Sequence, residues 1–290
     1  MYKRSPVSRQ DFKGEKPMEY LILILIGLMA AALGALIGIG GGVIIVPLLI
    51  FFGIDMGVLD RITPQTAVGT SSLVLIVIGL SAMMSYGRSN QLDRKNGMLF
   101  LIGIMPGAFA GSYASRLFTT DSFNLYFGLF LIFLSMILIL RNRIRPITIF
   151  QDERYVKPHV DHMGEVHHYG FAPWIAVTST FIVGFFTGLF GIGGGALMTP
   201  LMLIAFRMPA SIAIGTSMMM VFFSGLSAAS GHVLQGNVDY WYAAFILPAA
   251  FLGAKIGVWI NQKFKSDSLV VVLRTVLMLL GIYMILQTIL

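Results

Sequence analysis

Two glycine clusters set inside long apolar runs constrain this chain more than any other feature. The first is Gly38-Ile39-Gly40-Gly41-Gly42-Val43-Ile44-Ile45-Val46-Pro47, and the pattern recurs as Gly191-Ile192-Gly193-Gly194-Gly195-Ala196-Leu197-Met198-Thr199-Pro200. Adjacent glycines weaken a helix, and an internal proline removes one of its hydrogen bonds. In hydrocarbon such a defect survives only where other protein or a watered cavity satisfies the freed backbone groups. Two matching defects in two halves of one chain form the pattern expected of a transporter's central site.

The surroundings of the motif are those of a membrane protein. Hydrophobic residues make up 57% of the 290 and charged residues 11%, with a mean hydropathy of +0.83. A soluble domain carries about 25% charged residues. Apolar segments fall at about 20–52, 66–86, 97–118, 122–140, 172–206, 211–230, 241–260 and 269–289. Most are long enough to span a bilayer, which needs about 20 residues. The basic start of the chain resembles a signal peptide. Cutting after Ala31-Ala32-Leu33-Gly34-Ala35 would separate the first run from its glycine motif, whereas the second half keeps the run Trp174 to Leu189 attached. The first run is therefore read as a retained span.

The net charge of +7 is spread over tails and loops, so it reads as a topology signal and not as a nucleic-acid footprint. The chain has no cysteine, which excludes disulfides, iron–sulfur clusters, cysteine-based zinc sites and thiol catalysis.

The two halves align beyond the glycine motif. Ala67-Val68-Gly69-Thr70-Ser71 matches Ala213-Ile214-Gly215-Thr216-Ser217, and Gly79-Leu80-Ser81-Ala82 matches Gly225-Leu226-Ser227-Ala228. Gln91-Leu92-Asp93 matches Asn237-Val238-Asp239, and Pro106 with Gly111 matches Pro248 with Gly253. The expected fold is an all-α polytopic membrane protein of about eight transmembrane segments in two homologous four-segment repeats. A glycine-broken helix starts each repeat. The expected divisions are a tail at 1–19, a first repeat at 20–142, a polar linker at 143–170 and a second repeat at 171–290.

If each segment crosses once and the N-terminus is cytoplasmic, thirteen Lys and Arg fall inside. They are the five of the tail, Arg88, Arg94, Lys95, Arg141, Arg143, Arg145, Arg154 and Lys157. Six fall outside: Arg61, Arg116, Arg207, Lys255, Lys263 and Lys265. The excess favours both termini inside and halves related in parallel. Re-entrant glycine-broken segments would instead make the halves inverted. The first segment of each half exceeds a straight span, so a half-helix is expected after each glycine cluster.

Four groups of residues are candidates for chemistry. Gly40, Gly41 and Gly42, with Gly193, Gly194 and Gly195, bare the backbone, and a half-helix starting there aims its positive end at the break. The competing reading is close helix packing through small residues. Thr70, Ser71, Thr216 and Ser217 supply hydroxyls that either meet a ligand or bond a carbonyl one turn back. Lys255, alone in an apolar helix, is a candidate for charge compensation of an anion or a snorkelling residue; Arg274 poses the same question. His232 is a proton-coupling candidate or a satisfied interfacial histidine. Asp93 and Asp239 are expected to cap the helices that follow them. His159, Asp161, His162, Glu165, His167 and His168 in the linker are irregularly spaced and read as solvated, so no metal and no cofactor is expected.

With these blocks in place, the chain resembles the TauE/SafE family, the sulfite exporter-like membrane transporters, over nearly everything from about residue 20 to 289, the tail and the linker 145–170 lying outside the resemblance. The resemblance is carried by Gly191 to Pro200, Gly215-Thr216-Ser217 and the turn from Gly231-His232 to Asp239. The first half departs from it in having Tyr86-Gly87-Arg88, so a histidine role is not duplicated. The resemblance implies a multi-pass permease of the bacterial inner (plasma) membrane that moves small anions such as sulfite, sulfonates or related organosulfur compounds.

The expected function is secondary transport of a small anion by alternating access, with no ATP-binding loop in the sequence. A passive anion channel is the alternative. An intramembrane enzyme using Ser227 or Ser230 beside His232 is the third reading. The expected partners are the substrate and the lipid bilayer, with no nucleic acid; a homo-oligomer stays open.

Overall fold

A backbone inside a bilayer must satisfy its own polar groups, and this chain does so almost wholly with helices. The computed structural model describes residues 17–140, 156–160, 166–263 and 267–289. Its elements are α1 (Pro17–Ile37), α2 (Gly42–Ile50), α3 (Pro64–Arg88), α4 (Arg94–Ala114), α5 (Thr120–Leu140), a β1–β2 hairpin (Lys157–Val160 and Val166–Tyr169), α6 (Pro173–Phe190), α7 (Gly195–Ile204), α8 (Ala210–Leu234), α9 (Tyr240–Lys263) and α10 (Asp267–Ile289). Among the described residues, seven helices, α1, α3 to α6, α8 and α9, are long and apolar enough to cross a membrane, while the apolar part of α10 is shorter. At 9 and 10 residues, α2 and α7 reach only about half of the roughly 30 Å hydrocarbon core.

The expected caps are present. Asp93 accepts from the Asn96 N–H at 3.1 Å and Asp239 from the Tyr242 N–H at 3.0 Å. Thr63 and Thr66 close a reciprocal box at the start of α3, with Pro64 at the first helical position.

Small residues let the long helices touch backbone to backbone, and the order of their contacts gives each pair its direction. Gly27 faces Ile246, Gly253 faces Leu28 and Gly257 faces Ala32, so α1 and α9 run parallel. Gly103 lies on Val177, Gly107 on Phe181 and Gly111 on Phe185, so α4 and α6 run parallel as well. Gly79 meets Phe222 while Gly225 meets Leu75, which makes α3 and α8 antiparallel. Gly128 meets Gly281 and Ser135 bonds the Arg274 carbonyl, which makes α5 and α10 antiparallel.

These directions give the bundle two faces. Face A holds the start of α1, the loop 56–63, the turn 115–119, the turn 235–239 and the end of α10. Contacts of Asp55 with Tyr283 and Gln287, and of Gln65 with the Phe118 carbonyl, join these parts. Face B holds the α3–α4 turn, the α5–α6 connection, the α7–α8 loop and the α9–α10 connection. Tyr86 near the end of α3 bonds the Ala35 carbonyl near the end of α1, so both helices rise toward face B. Between them α2 returns toward face A.

The parallel relation expected between the halves is therefore corrected: α1 and α3 run opposite to α6 and α8. The reason is backbone geometry. Gly38 and Gly40 take φ of 81° and 79°, and Gly191 and Gly193 take 65° and 76°. This left-handed region reverses the chain at little cost only for glycine. Counting one crossing per apolar segment missed that reversal. The expected half-helices are present, as α2 and α7.

The hairpin pairs Lys157 with Tyr169 and His159 with His167 in antiparallel register. Asp161, His162 and Glu165 of the linker, and residues 1–16 of the tail, lie outside the described residues. Phe171 after the hairpin stacks on Phe206 at 4.2 Å, and Phe206 on Phe100 at 5.4 Å, which seats the hairpin on α4 and the end of α7.

The cysteine-free sequence makes the two faces directly testable. Lys95→Cys and Lys263→Cys are expected to react with a membrane-impermeant maleimide from one side, and Asp60→Cys and Leu234→Cys only from the other. Labelling of positions 95 and 263 from opposite sides would restore the parallel halves.

Candidate functional site

At the centre the two glycine clusters cross. A Cβ on Gly42 would collide with the Gly191 carbonyl and one on Gly195 with the Gly38 carbonyl, so side-chain-free backbone is required on both sides. Leu75 of α3 and Val221 of α8 each pack on both Gly40 and Gly193 and fill the space between the breaks. The N-termini of α2 and α7 thus meet across the crossing. The first N–H groups of any helix lack intrahelical acceptors, so two partial positive ends converge there. Ser224 accepts from the Gly194 N–H at 3.3 Å.

The carbonyls that the breaks leave open are taken by hydroxyls of the opposite half. Ser71 donates to the Gly191 carbonyl at 2.8 Å, and the Ser217 hydroxyl lies 2.7 Å from both the Gly38 carbonyl and the Ile214 carbonyl one turn back on its own helix. Thr216 accepts from the Asp93 N–H at 3.0 Å, and Thr70 accepts from the Asp239 N–H at 3.0 Å. All four hydroxyls are fully buried. The structure therefore brings Thr70, Ser71, Thr216 and Ser217 to the crossing, but each binds backbone there. They brace the two halves against each other. The glycines before them serve the same closeness: Gly69 lies on the Asn237 carbonyl and Gly215 on the Gln91 carbonyl.

His232 is buried on α8 with its Nε2 2.9 Å from the Gly188 carbonyl near the end of α6. At the matching place in the first half, Tyr86 donates its hydroxyl to the Ala35 carbonyl at 2.9 Å. A tyrosine and a histidine in equivalent positions thus serve one geometric need, a donor for a carbonyl at a helix end that has lost its intrahelical partner. The His232 Nδ1 has no hydrogen-bond partner among the described residues. Ser230 donates to the Ser227 carbonyl and Ser227 to the Met105 carbonyl, each at 2.6 Å. Neither serine bonds to the histidine, so no nucleophile–base pair is formed.

Lys255 does not join the crossing. It is exposed on α9 near face B, with its ammonium 4.4 Å from the Phe251 ring centroid. Three participants were missed from the sequence: Ser224 at the Gly194 N–H, Thr199 and Tyr169. Thr199 donates to the Gly38 carbonyl at 2.6 Å beside Ser217. Its signal was a hydroxyl directly before Pro200, where the first motif has Val46. Tyr169 of the hairpin donates to Asp93 Oδ2 at 2.7 Å. Burial first, and then the Asp93 carboxylate, raises its phenol above the ordinary tyrosine range, so it stays a donor at neutral pH. No pattern in the sequence linked the linker to that turn.

The comparisons with known proteins agree with one another. A family profile described as Sulfite exporter TauE/SafE matches residues 23–284. The probable membrane transporter protein YunE of Bacillus subtilis is 39% identical over 264 residues, covering 91% of this chain and 96% of that protein. The probable membrane transporter protein MJ0441 of Methanocaldococcus jannaschii is 25% identical over 275 residues, covering 91% and 95%. A shorter match, 37% identical over 86 residues, covers 29% of this chain and 18% of the Sulfite exporter TauE/SafE family protein 5 of Arabidopsis thaliana. No solved structure matches.

Tyr86→Phe and His232→Phe each leave a buried carbonyl unsatisfied, and each is expected to cost about 1–3 kcal/mol of stability. Thermal unfolding in detergent measures this. An unchanged midpoint for His232→Phe, together with a lost pH response of transport, would assign the histidine to proton coupling instead.

Proposed function

The chain belongs to the TauE/SafE family of membrane transporters, and from that premise we propose that it carries a small anion through the crossing of its two broken helices by alternating access. One observation carries this reading: the N-termini of α2 and α7 meet on side-chain-free backbone at the centre of the bundle. Converging helix N-termini favour a compact negative charge. Sulfite is the substrate we propose, with sulfonates and related organosulfur anions as its chemical neighbours. Gly40 to Gly42 and Gly193 to Gly195 supply the backbone contacts in this reading. Thr70, Ser71, Thr216 and Ser217 hold the site closed until one half moves.

The proposed architecture is eight spans and two short helices in two homologous, inverted repeats, and the braces fall into two sets related by that inversion. Ser71–Gly191 and Thr70–Asp239 close the side toward face A. Ser217–Gly38, Thr216–Asp93 and Tyr169–Asp93 close the side toward face B. Release of one set while the other holds exposes the crossing to one face at a time. With both sets made and Leu75 and Val221 between the breaks, the conformation is occluded, which favours a carrier over a passive channel.

The sides also change the reading of the charges. Arg88, Arg94, Lys95, Arg207 and Lys263 lie at face B, and the connection that leaves and returns there carries Arg141, Arg143, Arg145, Arg154 and Lys157. Arg61, Arg116 and the five Lys and Arg of the tail preceding α1 go with face A, seven against these ten, so in this reading the positive-inside rule favours face B as cytoplasmic, with both termini on the opposite side and not inside as the sequence count suggested.

Gly194→Ala tests the site without unfolding it. Gly194 has a right-handed helical backbone (φ −56°), and the atoms nearest to a Cβ there belong to the Ile104 and Ser224 side chains, not to backbone. Proteoliposomes holding wild-type protein are expected to show saturable flux of labelled sulfite. The variant is expected to keep its fold and lose flux roughly ten- to hundredfold, the scale of a small misplacement of binding groups. Non-saturating wild-type flux would favour the channel, and no flux of any sulfur oxyanion would overturn the anion reading.

A further inference from the structure

At face B, a groove of about 490 Å³ runs between the end of α3, the start of α4 and the middle of α8. Its walls include Met84, Met98, Met219 and Phe223, and Arg88 and Arg94 stand in it at the facing helix ends. Met84 and Met98 are 49% and 65% exposed on helices that cross the membrane, so the groove opens sideways toward lipid. Flexible methionine side chains suit a chain-like apolar occupant. A hydrated inorganic anion gains nothing from such walls, whereas two guanidiniums at the helix ends call for a negative head.

The cationic end is also a departure from the internal match. The positions of the second half that correspond to Arg88 and Arg94 hold Leu234 and Tyr240. The arginine pair is therefore not a by-product of the duplicated plan.

We propose that this groove is a binding site for an anionic phospholipid, with an acyl chain along the methionines and the phosphate held by Arg88 and Arg94. Juxtamembrane arginines at the mouth of a pocket between helices fit a lipid phosphate. The occupant reaches the braces. Met219 lies against Gly97 of α4, one turn from Thr216, which holds the Asp93 N–H at the α3–α4 turn. A lipid wedged there supports the closed arrangement of face B. The assignment does not depend on the transport reading.

The test uses the whole protein in nanodiscs of phosphatidylcholine doped with phosphatidylglycerol, with retained lipid counted by native mass spectrometry. Wild type is expected to retain phosphatidylglycerol over phosphatidylcholine by roughly tenfold. The double variant Arg88→Gln, Arg94→Gln is expected to lose that preference while its unfolding midpoint in pure phosphatidylcholine stays unchanged. A second variant, Met219→Trp, fills the groove and is expected to displace the lipid with both arginines in place. Glycerol 3-phosphate, which has the head but no chain, is expected not to compete. Equal retention of the two lipids by wild type, persistence of the preference in the arginine variant, or full competition by glycerol 3-phosphate would each overturn the proposal.

Discussion

Two helices end in the middle of this bundle, and their last carbonyls have no intrahelical partner. In hydrocarbon each such group costs several kcal/mol if left alone, so the rest of the structure is arranged to meet it. Ser71 and Ser217 reach across from the opposite half, Thr199 adds a second donor at Gly38, and Tyr86 and His232 take the carbonyls one turn earlier. The bonds of Ser71, Ser217 and Thr199 cross between the halves and form only when the breaks approach each other, and that approach needs Gly42 and Gly195 to carry no side chain. Glycine, hydroxyl and helix break are thus one device with interdependent parts.

The device is also the source of its own instability. Helices that ran through would have satisfied the carbonyls at no cost, so a chain that breaks them gains something else in return. What it gains is a place where the N-termini of two helices face each other and where a few side-chain bonds tie each half to the other. Side-chain bonds to carbonyls contribute only about 1 kcal/mol each. In the proposed mechanism, a set of two or three holds one face shut and yet releases when one half moves. Tyr169 adds a bond to the face B set that face A does not share, because it comes from the hairpin between the halves.

Much of this was legible in the residues, and the part that was not has physical reasons. The duplicated glycine clusters located the crossing, and Gly69-Thr70-Ser71 with Gly215-Thr216-Ser217 located its braces. Whether those hydroxyls meet a ligand or a carbonyl depends on what stands opposite, which is a tertiary fact. The relative direction of the halves was lost for a different reason. The sign of φ at Gly38 and Gly191 decides whether α2 and α7 continue or turn back, and a glycine permits both. Tyr86 and His232 looked unlike because their chemistries differ, yet the need they serve is the same donor at the same place. Lys255 drew attention as a lone charge, but its side of α9 faces outward.

The central claim is that the backbone N–H groups of the two breaks together form one anion site, and hydrogen–deuterium exchange of the purified protein tests it most directly. Amides of residues 41–43 and 194–196 would be followed as sulfite is added. The account predicts that both segments gain protection together, with one half-saturating concentration, and that sulfite leaves the groove around Arg88 and Arg94 unchanged. Protection of one segment alone, or anion binding that protects neither, would contradict a shared site at the crossing.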